Sequence, residues 1–252
     1  MAQYRGVGIV YKHFPTTSSW RLVAVHDAGS ASKGKAYSQE GIMILLMQDN
    51  LNFNSQVHST TGLEVSEEHF GGAAHILFAH GAKAKRISYS TCHSETLAAI
   101  SGLETASLVA LRLAELLVPT EKPTLQQLAA LQETGVPFLP VDAMTDCKDF
   151  YSLTTGGSAL PQDRSEGVYI LAHREARLCG RLRWVILVPP QSMVADALTK
   201  PMLSNQLLHL LSTGCVEFRN KNGHPLEPGD CLLQLTSTKM TWRLATRSGL
   251  ET

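Results

Sequence analysis

An α/β domain built on a mixed sheet is the fold class that this sequence predicts, and three observations predict it. Three apolar strand-like runs come first: Leu22-Val23-Ala24-Val25, Gly41 to Met47, and one opening at His75. A single long helical pattern follows from Thr91 to Leu117, with a wide apolar stripe through Leu97, Ile100, Leu108 and Leu111 and, beside them, Leu103, Ala106, Ala110 and Leu113. Strand and helix patterns then alternate, giving the order βββ-α-(α)-β-α-α-β-α, which suits a sheet covered by helices.

Each element has a local reason. Ser18-Ser19 and Asp27-Ala28-Gly29-Ser30 bracket the first strand, and a polar connection with Lys33 and Lys35 joins it to the second as a hairpin. Residues 49–74 are rich in Asn, Ser, Thr, Gly and His and read as an insertion or long loop. Thr91 is the expected N-cap of the long helix and Pro119 its stop. Thr124-Leu125-Gln126-Gln127 has the form of a capping box opening a short helix that Gly135 can end. The run from Phe138 to Met144 is the fourth strand, ending at Asp146, with an amphipathic helical segment directly after it. Residues 165–178 read as helix and Leu182 to Val188 as the last core strand, stopped by Pro189-Pro190. Ser192 is positioned to cap a short helix holding Asp196, and Leu203 to Leu211 reads as one more helix. We expect a lead-in at 1–20, one domain over 21–212, and a tail at 213–252 with room for a small hairpin.

Composition bounds the function. The chain has 252 residues, enough for one large core, and 44% hydrophobic with 17% charged residues is the balance of a folding domain. Lys plus Arg and Asp plus Glu stand at 22 each, so any basic surface for nucleic acid must be local. Lys83, Lys85 and Arg86 form the dense basic cluster, read either as a solvated loop or as a phosphate-backbone contact. The five cysteines are scattered without CxxC spacing, which predicts reduced thiols in an intracellular, cytoplasmic or nuclear setting. No apolar run approaches the ~20 residues of a membrane span, and the N-terminus lacks a signal-peptide pattern. No GxSxG elbow is present, and Cys92 and Cys147 have no partner base in the sequence pattern, so nucleophilic catalysis is set aside.

Four acids sit where strands end or helices begin: Asp27, Glu95, Asp146 and Asp196. Ligands of open α/β sheets bind at the carboxyl ends of strands, so carboxylates converging there would make a site for divalent metal. Asp142 is a register rival to Asp146, but as an acid inside a strand it reads as a turn or edge feature. His26 and His93 lie within two residues of Asp27 and Glu95 and read as neighbours of the site.

The order of elements and the places of the four acids resemble the ribonuclease H fold, a mixed five-stranded sheet flanked by helices. The strings Ser90 to Ala99, Thr145-Asp146-Cys147-Lys148 and, above all, Val188-Pro189 with Met193-Val194-Ala195-Asp196-Ala197-Leu198-Thr199-Lys200-Pro201-Met202 resemble the ribonuclease H domain that closes the Pol polyprotein of Copia-type LTR retrotransposons. The likeness spans roughly residues 20–205. It departs from the family at Arg164-Ser165-Glu166-Gly167, where relatives carry Lys-His-Ile-Asp, and after Asp27, where a familiar tryptophan gives way to Gly29-Ser30. Neither departure removes an acid.

The resemblance implies that Asp27, Glu95, Asp146 and Asp196 bind two Mg²⁺ ions, with Mn²⁺ able to substitute, and hydrolyse the RNA strand of an RNA–DNA hybrid. In that scheme one ion activates the attacking water and the second stabilises the leaving 3′ oxygen, about 3.5–4 Å away. It also implies a neighbouring reverse transcriptase polymerase module as partner, since no Tyr-x-Asp-Asp string and no integrase-type zinc motif occurs here. Membrane partners are not expected, and oligomeric state is open. Two rival readings stand beside it: a degenerate or domesticated copy that binds nucleic acid or a partner protein without cleavage, and a module that supports a neighbouring polymerase or assembly.

Overall fold

The structure is a computed structural model, and it describes residues 8–14, 19–29, 38–49, 71–85, 87–117, 139–156, 158–200 and 204–217. The expected helix at 124–135, most of the 49–74 segment, Arg86, Cys231 and the rest of the tail beyond 217 lie outside the described residues.

Strands β1 (Trp20–Gly29), β2 (Gln39–Gln48) and β3 (Gly72–Lys83) form an antiparallel meander. Helix α1 (Thr91–Leu117) then leads to β4 (Val141–Thr145), which pairs parallel with β1. Helices α2 (Lys148–Thr155) and α3 (Arg164–Leu178) lead to β5 (Trp184–Leu187), parallel to β4. A 3-10 turn (Pro190–Ser192), the short α4 (Asp196–Thr199), α5 (Asn205–Thr213) and β6 (Cys215–Val216) complete the described order. The sheet reads β5-β4-β1-β2-β3-β6. Three antiparallel strands, a helical crossover and two strands parallel to the first make this a ribonuclease H-like fold. Among the described residues the sheet has six strands where five were expected, because Cys215 and Val216 pair with Ala73 and Gly72. A two-residue strand has no periodicity to read, and its partners fall in the segment that composition marks as loop.

Side-chain alternation along β1 splits the interior in two. Leu22 and Ala24 face a core shared with α1, α2 and α3, whereas Val23 and Val25 face one built from Met193, Val194, Ala195 and α5. On α1 the buried positions Ala99, Leu103, Ala106 and Ala110 recur at helical spacing and lie on the sheet. Burying each leucine or phenylalanine of these cores contributes about 1.5–3 kcal/mol relative to exposure. Thr91–Leu113 is also long and apolar enough to cross a membrane by length and composition, contrary to the sequence expectation. In the fold that stretch is a core helix.

The helix ends correct two expectations. Ser90, not Thr91, caps α1, its Oγ accepting from the His93 amide at 2.9 Å. Ser192 does not cap α4: it is buried in the 3-10 turn, and α4 begins at Asp196 with Ala195 at its N-cap. At α3 and α5, Asp163 and Ser204 accept from the amides expected of N-caps.

Asp142 is the largest departure among the acids. It is fully buried inside β4, where Arg21 donates to Oδ2 at 3.1 Å and Arg183 grips both oxygens at 2.9 and 2.7 Å. Arg183 also reaches Asp49 at 2.8 Å, so two arginines and two aspartates close a charge-balanced cluster across the sheet. An acid inside a strand is tolerated here because it is paired and hydrogen-bonded.

Candidate metal centre

The parallel pairing of β1 with β4 sets the site. Val25 is opposite Met144, and Asp27 and Asp146 each lie two residues further along. Period-two alternation therefore places both acids on the face of Val25 and Met144, the face that carries the Met193–Val194–Ala195 segment. That segment delivers Asp196 as the first residue of α4. One carboxylate oxygen each from Asp27, Asp146 and Asp196 lies within 4.8 Å of the others.

Glu95 stands beside this trio, outside the group of mutually close oxygens. From the first turns of α1 it reaches the end of β1, where Oε1 accepts from the Ala28 amide at 3.1 Å. Its Oε2 is buried without a hydrogen-bond partner, 3.7 Å from His26 Nδ1. Burial holds the His26 pKa down to about 4, against the pull of Asp27, so this contact joins a neutral imidazole to Glu95. His26 is fully buried on the α1 face of β1, its ring edge-on to Phe150. His93 is buried too, between Tyr89 and Tyr169.

Crowding of like charges shows in the acidities. Burial, then the neighbouring Asp27, pushes Glu95 up to about 9. Asp146 rises to about 6 for the same reasons, with Asp196 adding to the effect. Asp27 is raised by burial, opposed by a hydrogen bond from Thr199. Lys200 Nζ sits 2.6 Å from Asp196 Oδ1, one helical turn on. Burial opposes its charge, yet this pair and the nearby Asp27 and Asp146 hold Lys200 above the ordinary lysine value. Among the described residues, the half-exposed Lys200 ammonium faces Asp196, Asp27 and Asp146.

The donor set suits a divalent cation. All the converging atoms are hard carboxylate oxygens, and a buried oxygen of Glu95 has no hydrogen to accept. Such a cation would supply the positive charge that these oxygens lack.

Three glycines shape the floor. Gly41 pairs with Asp27 across β1 and β2, and Gly81 pairs with Gly41 across β2 and β3. A Cβ on Gly41 would stand 2.9 Å from Thr199 Cγ2, and one on Gly81 would stand 2.7 Å from the Leu198 carbonyl. On Gly29 it would meet Thr199 Cβ at 3.3 Å. Segment 195–199 thus lies directly on the backbone of three strands. In the sequence Thr199 and Lys200 stand only within the family-like string and Gly29 and Gly41 only at strand ends, with no mark of a role in the site. The spacing of Lys200 four residues after Asp196 was the one local signal available.

Of the basic cluster, Lys83 and Lys85 are exposed at the end of β3. Lys83 pairs with Gln39, itself opposite Gly29, which puts it at the same sheet end as the acids. Cys92 and Cys147 are half-buried and in thiol contact, which lowers the Cys147 pKa and raises that of Cys92.

No protein-family model matches the chain, and no curated protein matches it. Solved structures are similar to it. RNase H1 from the halophilic archaeon Halobacterium salinarum aligns at 15% identity and TM-score 0.40, covering 71% of this chain and 93% of its own. LC11-RNase H1, solved in complex with an RNA/DNA hybrid, aligns at 12% identity and TM-score 0.41, covering 74% and 99%. The Prototype Foamy Virus protease-reverse transcriptase aligns at 11% identity and TM-score 0.27 over 69% of this chain and 18% of that one.

Proposed function

We propose that the domain hydrolyses the RNA strand of RNA–DNA hybrids, as a Mg²⁺-dependent ribonuclease H descended from the Pol polyprotein of a Copia-type retrotransposon. The observation that carries this reading is the convergence of Asp27, Asp146 and Asp196 at the ends of two adjacent parallel strands. The family strings around Glu95, Asp146 and Asp196 support the origin.

Asp27, Asp146 and Asp196 would hold the cation, with Glu95 completing the acid set. When bound, Mg²⁺ activates water and stabilises charge on the phosphate oxygens. The chain's own part is to fix these carboxylates before substrate arrives: β1 and β4 set two of them by register, and the glycine floor sets the third. Lys83 and Lys85, at the same sheet end, are suited to the phosphate backbone of the hybrid.

The test is cleavage of a labelled RNA strand in an RNA–DNA duplex with Mg²⁺ or Mn²⁺, the parent protein against Asp146→Asn. Cutting by the parent that is lost in a folded variant supports the reading; a folded parent that never cuts overturns it. A second reading, a degenerate or domesticated copy that binds hybrid without cutting, is favoured by the Lys200–Asp196 ion pair, which partly neutralises the acids from within. Hybrid affinity without cleavage would identify it.

A further inference from the structure

We propose that Thr199 is a positioning residue of the acid site, its hydroxyl tying the Asp27 carboxylate to α4 so that Asp27 and Asp196 face a divalent cation as one unit. The inference rests on the ribonuclease reading above and names a residue to which that reading gives no task.

The geometry starts with α4 itself. It has four residues and fully buries none of them, and only Ala197 and Leu198 pack, in part, against the core. Two further contacts fix its orientation. Below, Thr199 Cγ2, the Leu198 Cβ and the Ala195 carbonyl all occupy the space that a Cβ on Gly41 would take, at 2.9, 3.0 and 3.0 Å. Beside it, Thr199 Oγ1 donates to Asp27 Oδ2, and the same oxygen lies 3.2 Å from the Asp196 carbonyl. The threonine therefore joins the strand that carries one acid to the helix that carries another. With Oδ2 engaged by Thr199, the other oxygen of Asp27 is held in a defined direction.

The two halves of the side chain do separable work. Its methyl seats α4 on the glycines, whereas its hydroxyl orients the carboxylate. Valine keeps the branched shape and loses the donor; serine keeps the donor and loses the methyl.

The experiment compares the full chain with Thr199→Val, Thr199→Ser and Gly41→Ala. Mn²⁺ binding is measured by electron paramagnetic resonance or calorimetry, alongside the Mg²⁺ half-saturation of hybrid cleavage, the KM for hybrid and the metal-free melting point. Groups that orient metal-binding residues typically change metal affinity or activity about 10–100-fold. Thr199→Val is expected to raise the Mn²⁺ dissociation constant and the Mg²⁺ half-saturation by that order, with hybrid KM and melting point little changed. Thr199→Ser should restore most of the loss. Gly41→Ala should weaken Mn²⁺ binding in the same direction by lifting α4.

A folded Thr199→Val protein that binds Mn²⁺ like the parent overturns the inference. So does a Thr199→Ser protein as impaired as the valine variant, since the methyl would then be the part that matters. If the valine variant fails to fold, the serine variant decides: parent-like Mn²⁺ binding supports the hydroxyl role, and a matching loss overturns it. A parent that binds Mn²⁺ without cutting hybrid refutes the nuclease reading, and the binding comparison still decides Thr199. A parent that binds no Mn²⁺ sinks both.

Discussion

Asp27 and Asp146 stand side by side because the register of β1 against β4 places them there: Val25 is opposite Met144, and each acid comes two residues later. Neither acid chose its neighbour through local sequence. The consequence is electrostatic strain in the metal-free protein, since two carboxylates, with a third from Asp196, share a half-buried corner.

Removing one of those charges should separate function from stability. Asp146→Asn is expected to abolish Mg²⁺-dependent cleavage and to raise metal-free stability by about 1–2 kcal/mol at pH 8, a figure discounted for the partial exposure of the site. The gain follows from the Asp146 pKa of about 6, elevated by burial and then by Asp27. Chemical denaturation in EDTA checks it. A less stable variant would show that Asp146 is held by favourable contacts outweighing the repulsion.

Cation binding should also release protons. In the metal-free protein Glu95 titrates at about 9 and Asp146 at about 6, so around pH 7 the glutamate still carries its proton. A cation favours the deprotonated forms, so affinity must rise as pH rises through these values and level off above them. Titrating Mg²⁺ at pH 7.5 in buffers of different ionisation enthalpy should show net proton release, and affinity should grow between pH 6 and 9. A pH-independent affinity would place the cation away from Glu95 and Asp146.

How far the sequence reached depends on whether a residue's neighbours were local. The limits of α1 follow from its apolar stripe, and Asp27, Asp146 and Asp196 stood out because each lay at a strand end or helix start. Gly41 and Gly81 carried no such mark. They matter only because pairing lines them up with Asp27 under residues 195–199, more than a hundred residues away. Asp142 was misjudged for the same reason, its partners Arg21 and Arg183 being 121 and 41 residues distant. Ser90 took the cap from its neighbour Thr91 by one position, the usual uncertainty at a helix end.

Acid should unfold the protein partly through His173. It is fully buried beside Phe150, and burial, with His26 near, holds its pKa at about 3 against the ordinary 6.5. The unfolded chain therefore takes up a proton first. Stability is full above about pH 6.5 and falls as pH drops towards about 3, by about 1.4 kcal/mol per pH unit from this group. His173→Leu should flatten that dependence, measured as urea midpoints between pH 4 and 7. An unchanged slope would assign the acid sensitivity to other groups.

The Arg21–Asp142–Arg183–Asp49 cluster gives the last prediction. Asp142 is fully buried and accepts from both arginines, while Arg183 keeps a second carboxylate in Asp49. Asp142→Ala strips Arg21, also fully buried, of this counter-charge, and breaking a buried pair from one side costs about 3–5 kcal/mol. Asp142→Asn keeps an acceptor oxygen and the shape, so it should cost less. Arg183→Met should be milder still, because Arg183 is partly exposed and its loss leaves Arg21 and Asp142 as a pair. Because the cluster lies at the far end of β4 from Asp146, these variants should retain the parent's Mg²⁺ half-saturation whenever they are folded. Denaturation curves that rank alanine as the most damaging, together with unshifted metal dependence, would confirm a structural role. A shifted Mg²⁺ requirement in a folded Asp142→Asn protein would show instead that the cluster transmits strain along β4 to the acids.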